Sequence, residues 1–137
     1  MRASQRLDHV AIAVSNLETA ISYYVDVLGF APPEIEEVSD QRVRVALFGH
    51  GPGRIELVCP TDEHSGVAKF ISKRGEGLHH ICIEVNDIEA SLARLEAKGA
   101  KLIDRQPRMG AGGSKIAFVH PQGSLGVLTE LKQAPNE

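Results

Sequence analysis

The sequence predicts an α+β fold made of two tandem βαβββ modules, because the second half of the chain repeats the first. Residues 7–20, LDHVAIAVSNLETA, align with residues 78–91, LHHICIEVNDIEAS, at a constant offset. The match returns downstream, where Glu56-Leu57 aligns with Glu130-Leu131 after a short insertion in the second copy. We therefore expect a single domain over residues 1–137 that holds two repeats, at about 7–60 and 78–132, joined by residues 61–77.

Each copy should open with a strand, at 8–14 and at 79–85, because apolar residues alternate with other residues there. A helix should follow each strand, since apolar residues then recur at helical spacing. These are Leu17, Ala20, Ile21, Tyr24 and Leu28 in the first copy, and Ile88, Leu92 and Leu95 in the second.

The ends of the two helices also carry signals. Ser15 with Glu18 has the pattern of a capping box, and Asn86 with Glu89 resembles it. Glycine stands at positions 29 and 99, where each helix should end. Turn residues then divide the rest of each copy into short strands, predicted at 33–39, 43–49 and 54–59 and again at 101–106, 115–119 and 126–132. A short helix is expected at 66–72.

Composition narrows the function classes. The chain has a formal net charge of -3, is 42% hydrophobic and 24% charged, and has no basic run, which argues against nucleic acid as a partner. The N-terminal residues lack the apolar region of a secretory signal, and no apolar run is long enough to span a bilayer. We therefore expect a cytoplasmic location with no membrane partner. Cys59 and Cys82 form no C-x-x-C pair and are expected to be small buried residues.

The alternation of residues in the strands points to four candidate metal ligands. Alternate residues of a strand face opposite sides, so His9 and His80 should both lie on the face away from the helices. Glu56 and Glu130 stand at matched positions in the last strand of each copy, and Glu56 is flanked by apolar residues. Two imidazoles and two carboxylates suit one divalent ion such as Co, Zn, Mn, Ni or Fe. The competing hypothesis is a duplicated, salt-bridged core.

At these residues the sequence resembles the vicinal-oxygen-chelate superfamily, and within it the methylmalonyl-CoA epimerase family over nearly the whole chain. The motifs that carry the resemblance lie at 7–14, 77–90, 109–121 and 126–133. The resemblance implies a half-open, glyoxalase-like β-barrel cleft around one metal ion per chain, and a homodimer. It places ligands at His9, His80 and Glu130, with Glu56 at the fourth position, where several bacterial epimerases have Gln. Some epimerases also use a Glu as an acid or base where this chain has Val45.

The resemblance implies an isomerase that epimerises methylmalonyl-CoA, an acyl-CoA substrate, by removing its α-proton and stabilising the enolate with the metal. We expect Glu130 and Glu56 to be the catalytic acid/base pair. The loop 108–115 is expected to lie over the substrate, where exposed backbone N–H groups of Gly112, Gly113 and Ser114 would bind the malonyl carboxylate; a plain hairpin turn is the alternative. Lys115 is a candidate for binding the coenzyme A phosphates of the substrate. Arg105 and Arg44 are further candidates for contacts with coenzyme A phosphates, although an exposed charge is the simpler interpretation.

Two other functions remain open. A lactoylglutathione lyase of the glyoxalase I type would use the same metal and the same glutamates, and the Glu at position 56 favours it. A metal-free module that sequesters a small molecule belongs to a different class, and a metal analysis of the purified protein separates it from both enzymes.

Overall fold

A computed structural model describes residues 5–135 of the chain. The chain divides into two compact units, of which one spans His9–His79. The other joins the residues from His80 onward with the N-terminal residues up to Asp8. No helix among residues 5–135 has both the length and the apolar character needed to span a membrane.

The unit His9–His79 contains four strands. They are β1 (Arg6–Ala13, which begins before the unit), β2 (Glu34–Val38), β3 (Val43–Phe48) and β4 (Arg54–Pro60). Their order across the sheet is β2-β3-β4-β1, with β1 parallel to β4 and the other neighbours antiparallel. Helix α1 (Leu17–Ser22) continues as a π-helical segment, Tyr23–Val27, and α2 (Gly66–Arg74) follows β4. The core lies between α1 and the sheet and is formed by Val14, Leu17, Ala46, Phe48, Leu57 and Cys59.

The other unit has the same order of elements. It contains β5 (Gly77–Glu84, which begins before His80), α3 (Ile88–Ala97), β6 (Arg108–Met109), β7 (Lys115–Val119) and β8 (Thr129–Gln133). The strands lie in the order β5-β8-β7-β6, with β5 parallel to β8. Its core corresponds to that of the first unit and is formed by Val85, Ile88, Leu92, Ala117, Val119 and Leu131. The predicted βαβββ order is therefore confirmed in both copies, and so is the α+β class. The description as a single domain stays a prediction.

The predicted strand at 101–106 is wrong. Only Leu102 makes a strand-like contact there, an isolated bridge to Val119, and the sixth strand is the two-residue β6 further along. The backbone N–H groups of Ile103 and Asp104 both donate to the carbonyl of Phe118, and the Asp104 carboxylate accepts from the Phe118 N–H. The segment therefore turns around Phe118 instead of continuing as a ladder, a detail that apolar alternation does not encode.

The predicted helix starts are each one residue early. The side chain of Asn16 accepts the N–H of Thr19, and that of Asp87 accepts the N–H of Ala90, so these two residues are the N-caps. Asn and Asp are strong N-caps because a short side chain reaches an otherwise unbonded amide of the first turn. The predicted cap Ser15 is instead fixed by its own N–H, which donates to the Glu76 carboxylate.

Candidate metal centre

In the unit His9–His79, β1 and β4 bring one imidazole and one carboxylate together. Nε2 of His9 lies 3.3 Å from Oε1 of Glu56, and at most 9% of either side chain is exposed. The neighbours of Glu56 in β4, Ile55 and Leu57, belong to the core under α1. Because alternate strand residues face opposite sides, Glu56 must point to the face away from the helix. It lies opposite Ala11 in the ladder, and the small side chains of β1 leave room beside it.

In the other unit, β5 and β8 make the equivalent pair. Nε2 of His80 lies 2.9 Å from Oε1 of Glu130, with side chains 5% and 9% exposed. Leu131 packs in the core beside α3, so Glu130 faces away from that helix. Leu128, which is apolar and would share the Glu130 face in a longer strand, lies outside β8, because β8 begins at Thr129.

The donor chemistry of the two pairs fits a divalent cation. Neutral imidazole and carboxylate are common ligands of the first-row divalent metals. A carboxylate removed from water is costly unless it is paired, and a cation would relieve that cost. Each pair is buried in its own unit at the matched position of the repeat. The His–Glu contacts also agree with the competing hypothesis of a salt-bridged core, so the ligand set stays a prediction.

Further contacts surround the second pair. The Phe118 ring lies edge-on to His80, with 5.3 Å between ring centroids. Cys82, which is directly opposite Glu130 in the ladder, is fully buried, and Cys59 is buried in the other unit, as predicted. Nζ of Lys132 lies 3.3 Å from Oδ2 of the buried Asp8, and this ion pair neutralises the Asp8 carboxylate next to β8. The second histidine–carboxylate pair therefore lies in a packed environment that restricts its side-chain rotamers.

The predicted substrate-binding residues lie in a turn between β6 and β7. Gly112 and Gly113 are exposed and have φ of 68° and 76°, a backbone conformation that favours glycine. Ser114 differs from the expectation of an exposed amide. It is buried, and both its N–H and its hydroxyl donate to the carbonyl of Ala111. Lys115 is exposed and its Nζ lies 3.4 Å from Glu89. These four roles stay predictions.

The other two basic residues singled out in the sequence lie on the surface. Arg44 pairs with Glu18 at 3.1 Å, and Arg105, whose side chain is 81% exposed, lies 3.7 Å from Glu96. The pKa of the Glu18 carboxyl is lowered, first by a backbone N–H and then by Arg44. Such exposed pairs contribute little to stability, which agrees with the simpler interpretation of both arginines.

The face that carries Glu56 continues across β3 to β2. Val45 is buried and lies opposite Val58, two residues beyond Glu56 in β4. Its partner on the other side is Glu36 in β2. Because directly opposed residues of neighbouring strands share a face, Glu36 is a carboxylate on the Val45 side of the sheet. The sequence pattern did not single out Glu36, since it stands in a run of acidic residues.

A family comparison decides how this arrangement is classified. A model described as the Glyoxalase/Bleomycin resistance protein/Dioxygenase superfamily matches residues 8–118, which is most of the chain and includes three of the four candidate ligands. The chain belongs to this superfamily. The match confirms the predicted resemblance and the glyoxalase-like fold.

Several relatives of the chain are methylmalonyl-CoA epimerases. The ethylmalonyl-CoA/methylmalonyl-CoA epimerase of Cereibacter sphaeroides is 40% identical, covering 93% of this chain and 97% of its own length. The crystal structure of methylmalonyl-CoA epimerase from Mycobacterium tuberculosis has a TM-score of 0.89 at 39% identity, covering 96% of this chain and 89% of that one. A methylmalonyl-CoA epimerase in complex with methylmalonyl-CoA and NH4+ has a TM-score of 0.90 at 36% identity, covering 95% and 94%.

The alternative enzyme has weaker support. A probable lactoylglutathione lyase of Vibrio cholerae is 30% identical over 96% of this chain and 95% of its own length. Its identity is lower than that of the epimerases over a comparable share of the chain. The comparisons therefore favour epimerisation over the lyase reaction.

Proposed function

We propose that this protein is a metal-dependent methylmalonyl-CoA epimerase in which His9, Glu56, His80 and Glu130 bind one divalent cation. The observation that carries the proposal is the matched pair of buried His–Glu contacts, one in each repeat. The identity of 36–40% to epimerases supports the substrate, a coenzyme A thioester. The native metal is expected to be Co, Zn, Mn or Ni, all of which accept these donors.

Epimerisation requires a proton to leave the α-carbon from one face and another proton to return on the opposite face. A bound divalent cation would supply a Lewis acid for the thioester oxygen and so favour loss of the α-proton. Glu56 and Glu130 come from different repeats, and we propose that each serves one face of the substrate. The ionised carboxylate takes the proton from the α-carbon while the other, protonated, returns one, and the two exchange roles when the reaction runs backwards.

The variant Glu56→Gln tests this assignment. Loss of one acid/base group should lower the epimerisation rate roughly 10²- to 10⁴-fold. Deuterium from solvent should still enter the α-carbon of one epimer, because Glu130 remains. Metal content is measured in the same samples, so that loss of the ion is not mistaken for loss of the base. Full epimerisation by Glu56→Gln with its metal bound would contradict the role of Glu56.

A second variant tests position 45, where this chain has Val. The family resemblance implies that some epimerases have Glu at this position, and that several bacterial epimerases have Gln at the position of Glu56. We therefore expect the double variant Val45→Glu, Glu56→Gln to recover part of the epimerisation that Glu56→Gln loses. The single variant Val45→Glu is the control for the cost of a carboxylate at this buried position. No recovery in a folded double variant would indicate that the acid/base geometry of this chain differs from that of those epimerases.

The lyase remains the second candidate, because Glu56 resembles the arrangement of glyoxalase I. Assaying purified protein with methylmalonyl-CoA and with the glutathione adduct of methylglyoxal separates the two reactions. Activity with the adduct alone would replace the epimerase proposal. Metal analysis of the same preparation tests the metal-free binding module, which predicts no bound ion and no turnover.

Three further features belong to the proposal. The turn at Gly112, Gly113 and Ser114, with Lys115, is proposed to contact the acyl-CoA. The chain is proposed to be a single domain of two repeats. Two chains are proposed to form a homodimer, and light scattering of the purified protein measures the molar mass that tests this. A cytoplasmic location stays a prediction from the sequence.

A further inference from the structure

Arg108 lies on the same face of its sheet as the carboxylate of Glu130. In the β6–β7 ladder Arg108 is opposite Ile116, and in the β7–β8 ladder Phe118 is opposite Glu130. Ile116 and Phe118 are two residues apart in β7 and therefore point to one side. Opposed residues share a face, so Arg108 and Glu130 point to that same side. The sequence pattern places Arg108 at the start of the loop over the substrate but gives it no role of its own, because the two-residue strand β6 is too short to be predicted from alternation.

The guanidinium of Arg108 is held in place by two contacts. It lies over the Phe118 ring, with 5.8 Å from Cζ to the centroid, and the same ring lies edge-on to His80 at 5.3 Å. Its Nε is 3.4 Å from Oδ1 of Asp104. Asp104 is itself fixed, since its other oxygen accepts the N–H of Phe118. Arg108 is thus attached to the ring that packs against the proposed metal ligand.

The Phe118 ring covers one face of the guanidinium, and Asp104 approaches Nε in an ion pair without hydrogen-bond geometry. Neither contact involves the edge that carries the two terminal nitrogens. Within residues 5–135, Asp104 is the only acidic partner of Arg108, and the contact is made through Nε. The two terminal nitrogens keep their donors, and the side chain is 36% exposed, so a ligand can reach them. A guanidinium fixed by these two contacts suits an oxyanion that accepts two parallel hydrogen bonds, as a carboxylate does.

We propose that Arg108 binds the free carboxylate of the substrate and so selects dicarboxylic acyl-CoA thioesters over monocarboxylic ones. The inference rests on the proposed function, and names the residue that recognises the acyl group. The free carboxylate is attached directly to the α-carbon, so it must lie near the acid/base pair to which Glu130 belongs. Arg108 contacts the Phe118 ring, and the same ring contacts His80. Arg105 lacks these features, because its side chain is 81% exposed and its ionic partner among the described residues is Glu96, on the surface.

Binding without turnover tests the proposal. Malonyl-CoA carries the carboxylate and propionyl-CoA does not, while both have the same coenzyme A. Their dissociation constants are measured by calorimetry for the wild type, Arg108→Gln and the matched control Arg94→Gln, which changes an exposed arginine of α3. We expect Arg108→Gln to weaken malonyl-CoA binding roughly ten- to a hundredfold, as for a charged hydrogen-bonded pair. Binding of propionyl-CoA should change less than about twofold. Arg94→Gln should leave both constants unchanged.

The other outcomes overturn the proposal in distinguishable ways. Equal weakening of both thioesters would place Arg108 at the coenzyme A phosphates. No weakening of either would remove it from the binding site. A wild type that binds both thioesters equally would show that no carboxylate is recognised, whereas a wild type that binds neither would contradict the proposed function itself. Arg108→Lys keeps the charge without the planar pair of donors and should retain an intermediate preference for malonyl-CoA, which guards against a Gln variant that fails to fold.

Discussion

The carboxylate of Glu130 should contribute far more to metal binding than to the stability of the metal-free protein. In Glu130→Gln the neutral amide can still bond to His80, which lies 2.9 Å from the carboxylate, so this contact loses the difference between a charged and a neutral hydrogen bond. That difference is roughly 1 kcal/mol and is offset by the removal of a buried charge. We therefore expect the metal-free variant to unfold within a few degrees of the metal-free wild type.

The metal-bound forms should differ strongly. A cation present at about a hundredfold its dissociation constant stabilises the folded state by roughly 2.7 kcal/mol. In a domain of this size each kcal/mol raises the midpoint of thermal unfolding by roughly 3–5 °C, so the wild type should gain about 8–13 °C. If the substitution weakens binding about a hundredfold, the same concentration stabilises by only roughly 0.4 kcal/mol. The gain in the variant should then be about 1–2 °C.

Calorimetric scans of chelator-treated protein with and without Co²⁺ measure both gains. Glu84→Gln is the matched control, because Glu84 lies in the same strand as His80 but pairs with Arg6 at the surface. The control should keep the full metal-dependent shift. The reasoning is refuted if Glu130→Gln keeps it too, or if the ion does not stabilise the wild type at all.

Three further predictions concern the fold. Asp87→Ala should lower the free energy of unfolding, measured with urea, by about 0.5–2 kcal/mol because it removes the N-cap of α3. Asn86→Ala should change this free energy little. The opposite result would show that Asn86 is the cap, as the sequence predicts. Gly123→Ala should lower the free energy of unfolding by roughly 1–3 kcal/mol, because the new Cβ would lie 2.5 Å from the backbone of Lys101. Gly66→Ala, which has open space around it, should leave stability unchanged or raise it. Equal effects of the two variants would exclude the clash. The backbone N–H of His64 and, after it, Arg42 lower the pKa of the Asp62 carboxyl in the folded protein. This carboxyl therefore stabilises the fold at pH values above 3.8, its pKa in the unfolded chain, and the stabilisation is lost as the pH falls through the lower pKa of the folded state. The stability difference between wild type and Asp62→Asn should therefore shrink on acidification, and a difference that grows below pH 3.8 would reverse the sign.

The repeat allowed much of the fold to be predicted. Strands were located to within a few residues wherever apolar alternation was regular, as at Lys115–Val119, and the glycines at 29 and 99 end their helices with φ of 84°. The same alternation placed His9 and Glu56 on the face away from α1, where they lie in contact. These predictions succeeded because burial of one face of a strand leaves a period of two in the sequence.

The failures share a different cause. The cap residues and the turn around Phe118 depend on which side chain reaches which amide, and several polar residues at each place could have done so. Tyr23–Val27 continues α1 as a π-helical segment, although its apolar spacing looks like that of an ordinary helix. Local patterns rank such alternatives poorly, because the competing hydrogen bonds are nearly equal in energy.

The sequence by itself determined the two-copy architecture, the buried faces of the strands and the residue types that each copy offers to a cation, because duplication and alternation are written along the chain. Only the tertiary structure decided that His80 contacts Glu130 and that Arg108 lies over Phe118. The first contact depends on the register between β5 and β8, which are far apart in sequence, and the second depends on the turn between β6 and β7. A shift of one residue in either register would turn those side chains to the opposite face, and apolar alternation alone does not specify the register.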